Sequence, residues 1–132
     1  MTSSLSLLSR STRACFVLLP LSALLAGCGG GGNESGPADS IQVSPSDLTV
    51  EGGVGACLSG TGPKVYVYGG TPPYKLSNSA AWAMTIDHTG LQNSGDGFQL
   101  TFSGTCFSSL PVTVEDDMGR LATVSVSNVK GS

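Results

Sequence analysis

The twelve residues Val65 to Leu76, VYVYGGTPPYKL, decide the fold. Val65 and Val67 alternate with Tyr66 and Tyr68. Gly69, Gly70, Thr71, Pro72 and Pro73 then interrupt, and Tyr74 and Leu76 resume the two-residue period. Alternation of this kind sends successive side chains to opposite faces of an extended backbone, so the stretch reads as strand, turn, strand. The glycines accept the positive φ that a sharp reversal demands, and the prolines fix φ near its turn value. If Val65 and Val67 face a core, Tyr66 and Tyr68 face outward, and that pair is the candidate contact patch.

The same period recurs on both sides of this stretch. Ile41 with Val43, Leu48 with Val50 after a break at Pro45, and Trp82 with Met84 and Ile86 each share a phase. So do Phe98, Leu100 and Phe102, then Leu110, Val112 and Val114, then Ala122, Val124 and Val126. Asp116, Asp117, Met118 and Gly119 join the last two runs as a hairpin. No stretch beyond residue 40 repeats at the helical period. Seven or eight short strands in about ninety residues predict an all-β domain, a two-sheet antiparallel sandwich over residues 41–132.

Two of these segments carry a family resemblance. The run GGTPPY at Gly69–Tyr74, followed by VTVEDDMGR at Val112–Arg120 and alternating small and β-branched residues, resembles bacterial Ig-like and PKD-like extracellular domains. The resemblance covers about residues 41–129 and implies an Ig-like sandwich; it implies almost nothing about activity, because the fold hosts unrelated roles. The chain departs from antibody-type domains in its cysteines. Only 25 positions separate Cys57 from Trp82, and neither cysteine falls within a strand pattern, so a disulfide packed on a central tryptophan is not implied.

Upstream, Arg10 and Arg13 precede an apolar run from Ala14 to Leu25, then the small residues Ala26 and Gly27, then Cys28. Basic, apolar and small-residue regions in this order form a secretory signal. The apolar run is about twelve residues long and contains Pro20, whereas a spanning helix needs roughly twenty. The tetrapeptide Leu25-Ala26-Gly27-Cys28 resembles the lipobox of bacterial lipoproteins, which implies removal of residues 1–27 and acylation of Cys28. The rival is an ordinary secretory signal with an accidental cysteine. Residues 28–40 continue as CGGGGNESGPADS, which has no large apolar side chain beyond the cysteine and is expected to be a flexible tether. Gly29 stands where aspartate often marks retention in the inner membrane, so the resemblance implies the outer membrane, on its periplasmic face or at the cell surface.

Loss of residues 1–27 from the 132 leaves 105, one domain of ordinary size with its tether. Four basic residues then face nine acidic ones, a side-chain charge of −5. Such a chain is repelled by phosphate backbones, which argues against nucleic-acid binding, and gains nothing from anionic lipid, so its membrane partner is reached through the acyl group. With Cys15 removed and Cys28 acylated, Cys57 and Cys106 remain, and in an exported compartment they are expected to pair. The chain-entropy model assigns a loop of about fifty residues roughly 4 kcal/mol. If consecutive strands alternate direction, Cys57, just before the Lys64 strand, and Cys106, just after the Phe98–Phe102 strand, meet at one pole. If Ile41 to Val50 acts as one strand, the tether enters at the other pole.

Three loops, Glu51–Pro63, Ser77–Ala81 and Ser103–Ser109, are then expected at the disulfide pole, as solvated turns or as a partner surface. Asp87 and His88 read as a surface turn or as an acid/base pair. Glu115, Asp116 and Asp117 read as a hairpin tip or as a calcium cluster, although consecutive residues there point in different directions. Tyr66, Tyr68, Tyr74 and Trp82 read as core aromatics or as a sugar-binding strip. There is no Gly-x-Ser-x-Gly nucleophile pattern and no second histidine beside which His88 could complete a hydrolytic metal site. The sequence therefore points to no enzyme and no cofactor. It points to an envelope lipoprotein carrying an interaction or structural module, with an adhesion or carbohydrate-binding module as the alternative.

Overall fold

The computed structural model describes residues 39–132, which form nine strands in two packed sheets. The strands are β1 (Ile41–Ser44), β2 (Asp47–Val54), β3 (Ser59–Gly69), β4 (Tyr74–Asn78), β5 (Met84–Ile86), β6 (Gly90–Leu91), β7 (Gly97–Ser103), β8 (Phe107–Glu115) and β9 (Leu121–Gly131). One sheet has the order β1-β3-β7-β5 and the other β2-β9-β8-β4-β6. The all-β sandwich expected from the alternation is what forms. The short β6 is an addition: it pairs only through Tyr74↔Leu91 and Lys75↔Gly90, too short a run to show a period.

The alternating residues build the core. Val65, Val67, Phe98, Leu100, Val112, Val114, Val124 and Val126 are fully buried, and Tyr74, Leu76 and Phe102 nearly so. Each strand thus presents one face inward, and the two inner faces close on each other without a helix. The strongly paired ladders are antiparallel, β3 with β7 and β8 with β9 among them. One pair is not. β2 runs parallel to β9, from Asp47↔Ser125 to Val54↔Gly131.

That pair corrects the expectation of a purely antiparallel sandwich, and its cause is local. From Ile41 to Val54 the chain keeps one direction but changes sheet at Ser44–Pro45–Ser46, where Pro45 has no N–H to give a ladder. β1 therefore joins β3 in one sheet and β2 joins β9 in the other. A second correction concerns Trp82. It was expected in phase with Met84, yet it is 63 % exposed and lies outside β5. Ala83 and Met84 both donate their N–H to the Ala80 carbonyl, at 2.9 and 3.1 Å. This tight turn breaks the period and sends Ala80 and Ala83 into the core in place of the indole.

The expected wide loops at one pole are also corrected. Most of Glu51–Pro63 belongs to β2 and β3, and most of Ser103–Ser109 to β7 and β8. β3 absorbs the irregular Gly62–Pro63 in a bulge between Thr61 and Lys64, where a Cβ on Gly62 would lie 2.2 Å from the Phe102 ring. Only glycine fits there.

Candidate functional surfaces

The two ends of the sandwich are held by different chemistry. At one end Cys57, between β2 and β3, and Cys106, between β7 and β8, form a disulfide with a Cα separation of 5.3 Å. The antiparallel pairing of β3 with β7, with Ser59 opposite Ser103, brings them together as the strand-direction argument requires. Beside the disulfide lies a buried amide. Asn128 donates to the Leu58 carbonyl at 2.9 Å and the Thr105 carbonyl at 3.0 Å, and accepts from the Leu58 N–H at 2.8 Å. It therefore ties the two cysteine-bearing loops to β9 and to each other.

The other end is organised by Asp116, whose side chain is fully buried. Its Oδ1 accepts from the N–H groups of Met118 (3.0 Å) and Arg120 (2.8 Å). Its Oδ2 accepts from the Thr71 N–H, from Arg120 Nε and from Arg120 Nη2, each at 2.8 Å. Burial alone would raise its pKa. The hydrogen bonds from Thr71 and Arg120, with the guanidinium charge, outweigh that and hold the carboxyl down at about 2. Arg120 also donates from Nη2 to Thr71 Oγ1 at 2.8 Å, and the Asp117 N–H reaches the Thr71 carbonyl at 2.9 Å. The two segments GGTPPY and EDDMGR, about forty residues apart in sequence, thus form one interlocked corner.

Gly70 explains why the first segment opens with glycines. Its φ is +63°, and a Cβ there would lie 2.7 Å from Asp116 Oδ2. The Tyr74 hydroxyl, buried, closes the same turn by donating to the Gly69 carbonyl at 2.5 Å. The chain enters at this corner, where the Gly70 N–H reaches the Ser40 carbonyl at 2.8 Å and Ile41 pairs with Gly69. Entry and disulfide lie at opposite ends.

Between the ends, Tyr66 and Tyr68 stand on the outer face of β3. Tyr66 is 40 % exposed and Tyr68 partly so. The Tyr66 ring lies over Gly97 of β7, which has no side chain to push it off, and Lys64 Nζ sits 5.9 Å from the ring centre. Ser44 and Gln42 of β1 lie opposite the two tyrosines. The face is aromatic, basic and amide-bearing. It is far from the disulfide, since Cys57 precedes the start of the same strand, so the structure does not bring the predicted site residues into one site. Cys28 lies outside the described residues, as do the expected signal and most of the expected tether.

The other candidates resolve into turns. His88 Nδ1 lies 2.8 Å from Asp87 Oδ1, which also accepts the Gln99 N–H at 2.7 Å. Slight burial raises the Asp87 pKa, but the Gln99 hydrogen bond and His88 lower it further, and both side chains are about half exposed. Asp116 is committed to the corner while Glu115 and Asp117 point to solvent, so the three do not converge. Among the described residues no group of three His, Cys, Asp or Glu side chains could hold a metal ion. Two shallow grooves flank the short strands. One of about 380 Å³ is lined by Leu76, Asn78, Ala81, Thr85 and Ile86, and one of about 390 Å³ by Lys64, His88, Gln92 and Asp96.

Sequence reasoning missed Asn128 and the role of Asp116. The signal for Asn128 is its phase: in VSVSN it falls two residues after Val126, at a core position where a polar side chain needs dedicated partners. In comparisons with protein-family models, curated proteins and solved structures, the chain matches none.

Proposed function

We propose that this chain is a lipid-anchored envelope protein, acylated at Cys28 and directed to the outer membrane, whose Ig-like sandwich is a non-enzymatic interaction or structural module. The observation that carries the reading is the opposition of entry and disulfide. A domain tethered through β1 holds its braced end outward, on the side where a partner is met. The ionisable side chains support a role without catalysis, since Asp116 is used up by five short contacts and Asp87 by its turn.

Two measurements test it together. Intact mass of the N-terminal peptide from membranes is expected to begin at Cys28 with acyl chains attached, and an unmodified N-terminus elsewhere overturns the anchor. Protease shaving of intact and lysed cells then separates surface display from the periplasm.

A second reading, a glycan-binding module, is favoured by the exposed Tyr66 ring beside Lys64 and the neighbouring Gln42 and Tyr68. Aromatic faces flanked by amides and cations suit sugar rings. A glycan-array signal abolished in the Tyr66→Ala, Tyr68→Ala chain would favour this reading, and a signal unchanged in that variant would dismiss it.

A further inference from the structure

We propose that the β8–β9 hairpin seats Met118 and Leu121 on the phospholipid surface that carries the anchor. The inference rests on the lipid-anchored reading above and extends it from a tether to a docked orientation.

Among the described residues five large apolar side chains are exposed, at both ends of the sandwich and on one sheet face. Val54 and Trp82 are near the disulfide end, Tyr66 is on a sheet face, and Met118 (69 % exposed) and Leu121 (62 %) share the hairpin tip. That tip adjoins the entry of the chain through a short series of contacts: Ser40 to Gly70, and Thr71 to Asp117. It is also a fixed tip. Asp116 holds the N–H groups of Met118 and Arg120, and its carbonyl accepts the Gly119 N–H at 2.9 Å, so both apolar side chains are presented by a closed turn.

Chain length selects the occupant. Cys28 and Ser40 are twelve residue steps apart, which caps their span at about 40 Å. β3 alone, with its eleven residues, extends roughly 36 Å. The entry end therefore meets the bilayer whenever the intervening chain is slack, whereas the disulfide end meets it only when that chain is drawn out nearly to its limit. Exposed Glu115 and Asp117 outweigh Lys75, which lies opposite Glu115, so the tip gains nothing from anionic headgroups and the contact is with zwitterionic lipid through the thioether and the leucyl chain.

The methionines report on this without any substitution at the tip. Met84 is fully buried and serves as the internal control, whereas Met118 is open to oxidants. The acylated chain is bound to vesicles of phosphatidylethanolamine and phosphatidylcholine, floated, and treated with water-soluble chloramine-T. The Cys28→Ser chain with the same vesicles is the reference. Sulfoxide formation at Met118 is expected to slow about fivefold or more on the vesicles, as befits a side chain at the headgroup boundary. A chain that floats with acylated Cys28 but oxidises at Met118 as fast as the reference overturns the docking and leaves the anchor standing. A chain with neither acyl group nor flotation overturns the anchor and the docking with it. Equal protection without vesicles assigns the tip to a second copy of the chain and overturns the lipid contact.

Discussion

Asp116, buried and held by five short contacts, closes one end of the fold, and its ionisation shapes how the fold answers acid. Its pKa is near 4 in an unfolded chain and about 2 in the fold. A depressed carboxylate stabilises the fold fully above the unfolded value and ceases to do so as pH falls through the folded one. Thermal unfolding is therefore expected to be insensitive to Asp116 above pH 4 and to soften between pH 4 and about 2, with Asp87 adding in the same direction. The Asp116→Asn chain is expected to melt about 10 °C or more below wild type at pH 7 and to show a flatter profile below pH 4, read by circular dichroism. Asn128 is the second such residue. Asn128→Ala leaves the Leu58 N–H and two carbonyls unpaired, with an expected loss of about 2–3 kcal/mol in urea unfolding.

At the scale of elements, the disulfide and the glycine-proline corner each close one end. Reduction of Cys57–Cys106 is expected to lower stability by about 4 kcal/mol, and the Cys57→Ser, Cys106→Ser chain to match the reduced wild type in its urea midpoint. Gly70→Ala forces a side chain into a positive φ and against Asp116, with an expected cost of about 1–3 kcal/mol. Because both act on one contact, Gly70→Ala and Asp116→Asn are expected to combine less than additively in a double-mutant cycle. The strands of this fold were legible because Val65, Phe98, Val112 and Val124 alternate with polar neighbours, and burial on one face requires that pattern. The disulfide was legible because two cysteines flank strands that must run antiparallel. Trp82 was not, since the turn that ejects it depends on backbone N–H groups converging on Ala80. Nor was the sheet switch at Pro45, because a break in period marks where a strand ends without saying which sheet receives the next. Asp116 looked like one acid among three, and only the tertiary approach of Thr71 distinguishes it.

For the whole molecule, the candidate surfaces are distributed: an aromatic patch on one sheet, a braced end, and an apolar tip beside the entry. Of the four edge strands β1, β5 and β6 are short, which limits sheet-to-sheet pairing there, and β2 is the one longer edge, broken by a register shift between Glu51 and Val54. The proposed anchor rests on Leu25–Cys28 as a resemblance, while a partner's identity is written in no local pattern, because it depends on the joint exposure of residues such as Tyr66, Trp82 and Met118. Limited proteolysis of the acylated chain bound to vesicles is expected to release peptides from the disulfide end before the hairpin if the domain docks as proposed, checked by the order in which peptides appear in mass spectrometry.

The parallel pairing of β2 with β9 has a mechanical meaning. The chain comes in at one end, at Ser40, and β9 finishes at the other, at Gly131. A pull applied between the entry and a partner held at the disulfide end acts along the strands, so the β2–β9 hydrogen bonds bear load together as a sheared ladder. A hairpin pulled from its open end gives way one bond at a time, but this arrangement has to lose a whole row at once. The parallel register thus sets the sandwich to resist a pull along its strands more than one across them.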